Sequence, residues 1–167
     1  MQITPLDTLE RVGGLDEVAL RLVVATLLGA AVGLNRELQD KPAGLRTHAL
    51  VSLGAALLTV TGLLLADPGE GRGQAASRVI QGIVTGVGFI GGGVILRDES
   101  RRSVLGLTTA ATVWLVACVG IVCGTGHWPV ALLGLLLTLL VLMFGGTIER
   151  LSRRLSGRGS GTSTPDA

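Results

Sequence analysis

Residues 79–96 read VIQGIVTGVGFIGGGVIL. The stretch carries no charge, and its length falls within the roughly 17 to 25 apolar residues that a bilayer-spanning helix needs. It also holds Gly82, Gly86, Gly88, Gly91, Gly92 and Gly93. In water each would weaken a helix by about 1 kcal/mol. In hydrocarbon the alternative is unpaired backbone, so a helix survives there. Gly82 and Gly86, like Gly88 and Gly92, are four residues apart and put bare backbone on one face, where another helix can approach closely. The run Gly91 to Gly93 leaves a second reading open, a kink or an unwound stretch lining a cavity. The GxGxxG-like spacings are not nucleotide signals, because no strand precedes them and no phosphate-loop lysine follows.

Outward from this segment the charges confine themselves to clusters. Uncharged runs cover 22–35, 47–66, 79–96 and 103–148, and the last is too long for one span. Gly124, Gly126, His127 and Pro129 break it with turn chemistry. Five spans follow, at about 18–35, 47–66, 79–96, 104–123 and 128–148. The composition agrees: 48% of the 167 residues are hydrophobic and 16% charged, against roughly 25% charged in a soluble domain. A soluble enzyme, a disordered chain and a disulfide scaffold all fit poorly. The sequence predicts an all-α membrane protein, a Gly-rich, close-packed bundle of five transmembrane helices. Gly29 with Gly33 and Gly120 with Gly124 repeat the small-residue spacing. ALLGLLLTLLVLMFGG in the fifth span is bulky and predicts a lipid-facing helix outside a core of spans one to four.

Lysine and arginine set the orientation. The N-terminus and the loops after spans two and four hold Arg11, Arg21, Arg72 and Arg78. The opposite side holds Arg36, Lys41, Arg46, Arg97, Arg101, Arg102, Arg150, Arg153, Arg154 and Arg158. The N-terminus is therefore expected outside and the C-terminus in the cytoplasm. Acidic residues, with no basic run, precede the first span, so the start does not read as a secretory signal. The expected organisation is an arm or interfacial helix over 1–17, a transmembrane domain over 18–148, and a basic, disordered cytoplasmic tail over 149–167.

Few polar residues enter the spans. Arg21 is drawn into the membrane edge, either snorkelling to the interface or paired with another span. Arg78 and Gln81 are further intramembrane polar candidates, and Gln81 and Thr85 are placed to hydrogen-bond between helices. Cys118 and Cys123 lack CxxC spacing and read as small buried residues. At the cytoplasmic face Asn35, Arg36 and Glu37 close span one, Gly44, Arg46 and Thr47 open span two, and Thr108 and Thr109 open span four. Thr47 reads as an N-cap. The cluster reads either as an ion-pair latch, Glu37 or Asp40 with Arg36 or Arg46, or as an anion-accepting pocket at two helix starts.

RLVVATLLGAAVGLNRE, AGLRTHALVSLGAAL, RVIQGIVTGVGFIGGGVIL and GLTTAATVWLVACVGIVCGTG, in this order over residues 21 to about 148, resemble the signature stretches of the MgtC/SapB family of bacterial inner-membrane proteins. The resemblance carries over Gly33, Arg36 and Glu37 in the first stretch, and Gly44, Leu45, Arg46, Thr47 and Gly54 in the second. In the third it carries over Arg78, Gly82, Gly86, Gly88, Phe89, Gly91 and Gly93. In the fourth it carries over Gly106, Leu107, Thr108, Thr109, Ala110, Ala111, Trp114, Gly120 and Gly124. Asn35 stands where the family commonly has an acid, and Gly92 where it usually has alanine. Longer members append an ACT-like domain, for which this chain ends too soon.

The resemblance implies a multi-pass protein of the bacterial inner membrane linked to Mg²⁺ homeostasis and, in pathogens, to survival in host cells. Family members are described as Mg²⁺ transporters, and others as acting through membrane partners such as the ATP synthase. The residues favour the partner. Mg²⁺ prefers oxygen ligands and sheds water reluctantly, and no carboxylate lies in 79–96 or 103–148. The expectation is a non-enzymatic protein without cofactor, with Mg²⁺ only as a physiological ligand and its metal-binding residues unknown. Its partners are the lipid bilayer, another membrane protein complex and a second copy in a homodimer, with no nucleic acid. Transport of Mg²⁺ or another small solute is the alternative.

Overall fold

The computed structural model of the chain describes residues 9, 10, 12–66, 71–98 and 103–156. Their main elements are α1 (Gly14–Glu37), α2 (Leu45–Leu65), α3 (Gly71–Gly93), β1 (Leu96–Asp98), β2 (Ser103–Leu105), α4 (Leu107–Gly124) and α5 (Trp128–Ser156). Asp16 and Glu17 in the first turn of α1 and Arg36 in its last turn each suit the helix dipole. Gly126 takes φ +86° between α4 and α5. Pro129 then sits in the first turn of α5, where its missing N–H is not needed.

α4 is the hub. It packs against α1 and α2 on one side, α3 on another, and α5 on a third, while α3 also touches α2 and α5 also touches α1. One core, with Ala25, Val32, Ala56, Val116, Cys123 and Leu135, joins α1, α2, α4 and α5. A second, with Ala55, Ile83, Val87, Val113 and Ala117, joins α2, α3 and α4. Cys123 is buried and Cys118 partly so, both as free thiols.

Among the described residues four helices are long and apolar enough to cross a membrane: Gly14–Glu37, Leu45–Leu65, Leu107–Gly124 and the Trp128–Gly146 part of α5. In the α4 window 56% of residues are buried, against 11% in α5. The expected peripheral place of the last helix is what the structure gives, with Val130, Leu133, Leu136, Leu137 and Val141 facing outward. α3 is about 35 Å long at 1.5 Å per residue, but its glycines, Arg78 and Gln81 dilute its apolar character.

The structure corrects three boundaries. The third helix runs over Gly71–Gly93 rather than 79–96. Val94 and Ile95 close it with bonds from their N–H groups to Gly91 O and Gly92 O, each 3.2 Å. The chain then turns into a short antiparallel ribbon with Leu96 opposite Leu105 and Asp98 opposite Ser103. β-branched residues after a glycine run favour extended backbone over a further helical turn. The fourth helix accordingly starts at Leu107, not 104. Gly106 before it has φ +86°, and a side chain there would also overlap Val94 O. Finally, α5 continues to Ser156, eight residues into the stretch expected as disordered tail. Residues 157–167 and most of the N-terminal arm lie outside the described residues.

Candidate functional site

The close approaches between helices are at Gly29, Gly33, Gly62, Gly120 and Gly124, and a Cβ on Gly62 of α2 would overlap Val79 Cγ2 of α3. A Cβ on Gly29 would sit 2.6 Å from Ser52 Cβ, and one on Gly33 would sit 2.6 Å from Leu45 Cα. One on Gly120 would overlap Ser52 O, and one on Gly124 would lie 2.7 Å from Thr59 Cβ. α2 is thus clamped between α1 and α4, and Ser52 Oγ donates to Ala25 O at 2.7 Å across the first of these seams. Most of the glycine contacts expected of the third span are not made among the described residues. A Cβ on Gly82, Gly86, Gly88, Gly92 or Gly93 would meet nothing within 4 Å, and only Gly91 touches α4, at Ala110. Glycines at the same spacing pack tightly on α1 and α4 and lie open on α3 because α3 flanks the clamp instead of filling it.

Toward the end of the bundle where α1 stops and α4 starts, a polar seam joins three helices. Arg36 is only 4% exposed, and its Nη2 donates to Thr109 Oγ1 at 2.9 Å. Its Nε is buried without a hydrogen-bond partner. His48, fully buried, places Nδ1 2.9 Å from Gly44 O and Nε2 3.0 Å from Thr112 Oγ1. Thr112 Oγ1 is also 2.9 Å from Thr109 O. A carbonyl only accepts, so Nδ1 carries a proton. A hydroxyl has a single hydrogen to donate. Thr112 therefore donates to His48 when the ring is neutral, and to Thr109 O when the ring is doubly protonated.

The latch expected at this end does not form. Among the described residues the ion pair is Arg21 with Glu17. Glu37 Oε2 instead accepts from the Leu45 N–H at 2.9 Å, capping a helix whose N-cap residue, Gly44, has no side chain to do so. A carboxylate on a helix start is stabilised by the dipole and by the free N–H together. Glu37 thus takes the capping role expected of Thr47, which lies inside the helix. Arg46 and Thr47 are exposed and line, with Glu37, Asp40 and Lys41, an open polar cavity of about 500 Å³. Asn35 Oδ1 accepts from Gln39 Nε2 at 3.0 Å on the surface. Thr108 faces away from this cluster, into a groove between α4 and α5.

At the opposite end Arg21 is held by its own helix and by α4. Its Nε lies 2.9 Å from Glu17 Oε1, and its Nη1 donates to Gly124 O at 3.1 Å. The guanidinium thereby ties α1 to the negative end of α4. Arg78 and Gln81 are exposed, as is Thr85, in place of the interhelical bond expected of the latter two. Among the described residues no three His, Cys, Asp or Glu side chains converge to hold a metal ion. His48, Ser52 and Thr112 were not singled out as site residues from the sequence. The small polar residues among apolar ones at Ser52 and Thr112 were the available signal.

Apolar helices clamped through glycines around a buried polar seam, with leucine-rich outer faces, define a multi-helix membrane protein. The MgtC family profile matches residues 22–151, and the chain belongs to that family. It is 41% identical over 142 residues to Protein SrpB of Synechococcus elongatus, covering 81% of this chain and 78% of that one. It is 40% identical over 129 residues to "Putative magnesium transporter YhiD" of Escherichia coli, covering 75% and 59%. It is 40% identical over 137 residues to Protein MgtC of Salmonella typhimurium, covering 82% and 54%. The chain thus spans a little over half the length of the last two relatives. No solved structure matches it.

Proposed function

We propose that this protein is a five-span, non-enzymatic protein of the bacterial inner membrane, with its N-terminus outside and its C-terminus in the cytoplasm. It serves Mg²⁺ homeostasis when external Mg²⁺ is low, and acts on a membrane partner rather than carrying the ion. The link to Mg²⁺ rests on the family and on the name of the Escherichia coli relative. The observation that carries the partner reading is the chemistry of the polar seam. Arg36, Thr109, His48 and Thr112 put a guanidinium, an imidazole and two hydroxyls among the helices, and a fixed cation repels Mg²⁺ instead of replacing its water. The open glycine face of α3 supports a contact outside the chain, since bare backbone in hydrocarbon favours a second helix. The relative's name favours transport as the second reading.

Complementation tests the proposal. A strain lacking the protein is expected to grow poorly at low external Mg²⁺, and Arg46→Ala, exposed on the polar face, is expected to fail to restore growth while accumulating normally. Full rescue by Arg46→Ala, or normal growth of the deletion strain, would contradict it.

A further inference from the structure

α3 carries a polar stripe on the side away from the bundle. Gln74, Arg78, Gln81, Thr85, Gly88 and Gly92 recur at intervals of three and four residues, within about 80° of arc on one helix face, and all are exposed. The opposite face is the packed one, where Ile83 and Val87 are buried in a cluster with Ala55, Val113 and Ala117. Gln81 and Thr85 flank Gly82, the midpoint of the 23-residue helix, so in a span they stand near the centre of the bilayer. An amide and a hydroxyl there lose their hydrogen bonds to water and gain none from acyl chains, a cost that only a polar partner offsets. The outer face of α5, with Leu133, Leu137 and Val141 exposed, is by contrast all hydrocarbon and suits lipid.

The chemistry of the stripe selects its partner. An amide and a hydroxyl each donate and accept, so each is able to bond its own counterpart. Two copies inserted in the same orientation run parallel. A twofold axis along the membrane normal then sets Gln81 at the depth of the partner's Gln81 and Thr85 at the depth of the partner's Thr85. Further along the stripe a Cβ on Gly88 or Gly92 would meet nothing within 4 Å, which leaves room for a second backbone to come close. Arg78 lies toward the start of α3, where its long stem lets the guanidinium reach the headgroups and stay clear of its counterpart. We infer that the protein is a homodimer in the membrane, joined along α3 by hydrogen bonds of Gln81 and Thr85 and by close backbone approach at Gly88 and Gly92. The inference rests on α3 being one of the five spans proposed above, and not on how the protein serves Mg²⁺.

Cross-linking of the full chain in native membranes tests the interface, in a background carrying Cys118→Ala and Cys123→Ala. Oxidation with copper phenanthroline is expected to give a dimer from Gln81→Cys and from Thr85→Cys, and none from Leu137→Cys on α5. Neither stripe thiol should react with a membrane-impermeant maleimide. In liposomes at increasing lipid dilution, energy transfer between labelled copies reads the dimer dissociation constant. Gly88→Leu, and the double variant Gln81→Leu with Thr85→Val, should each raise it about ten-fold or more. Gly88→Leu keeps the folded monomer, so its effect on association is not one of misfolding. Wild-type association by Gly88→Leu, equal cross-linking from Leu137→Cys, or a stripe cysteine that captures a different protein in place of a second copy would overturn the inference. Stripe thiols that resist the maleimide but do not cross-link would overturn the interface alone, whereas maleimide labelling of Thr85→Cys would overturn the α3 span and the interface with it.

Discussion

Arg36 and Glu37 are neighbours with opposite fates. Arg36 turns inward to Thr109, whereas Glu37 turns back along the loop to the first N–H of α2. Removing the Glu37 carboxylate should cost about 1 kcal/mol, the usual worth of a helix cap. Arg46→Ala, on an exposed side chain, should change stability by no more than about 0.5 kcal/mol. Unfolding of both single variants and the double in detergent should give additive losses, with a coupling below about 0.3 kcal/mol. A coupling well above that would restore the latch. The residue types at this end were legible in the sequence, because charge stops where the hydrocarbon starts. Their pairing was not. Glu37 has Arg36, Arg46 and a bare helix start within the same few residues, and the choice among them depends on the path of residues 38–44, where Asp40 and Ala43 both take positive φ. Aspartate tolerates that conformation better than most residues, but alanine gives no sign of it.

Helix positions followed from the charge-free runs to within a few residues at most ends, since few other structures satisfy backbone groups in hydrocarbon. The largest exceptions are the start of α3 at Gly71 and the end of α5 at Ser156, both eight residues beyond the expected spans, and smaller ones lie where the glycine run meets β-branched residues. Hydropathy counts Val94 and Ile95 as membrane, whereas the helix stops before them and they turn the chain toward the ribbon that starts at Leu96. Glycine spacing likewise names a face that can accept a helix without naming the helix. Gly120 meets Ser52 O and Ala55, while Gly88 meets nothing within 4 Å. Leucine at Gly29 or Gly120 should therefore cost about 1–3 kcal/mol or more by overpacking and sharply lower the folded yield. Leucine at Gly88 should leave the melting temperature of the monomer in detergent unchanged. Loss of folded monomer with Gly88→Leu would mean that α3 packs far more tightly than described.

For the whole molecule, ten basic residues on one side against four on the other predict the orientation. A reporter fused after Ala167 should be active only in the cytoplasm, and activity confined to the periplasm would reverse the topology. The arrangement of the bundle bears on function at the same scale. Its two polar ends are built on Arg21 and Arg36, and the interior between them is closed by the glycine clamp of α1, α2 and α4. A continuous path for a hydrated divalent cation would have to pass a buried guanidinium and a packed seam. Mg²⁺ flux into proteoliposomes holding only the purified protein tests this most directly. The account predicts uptake no faster than in protein-free liposomes. Robust uptake by the protein alone, abolished by Glu37→Ala, would contradict it.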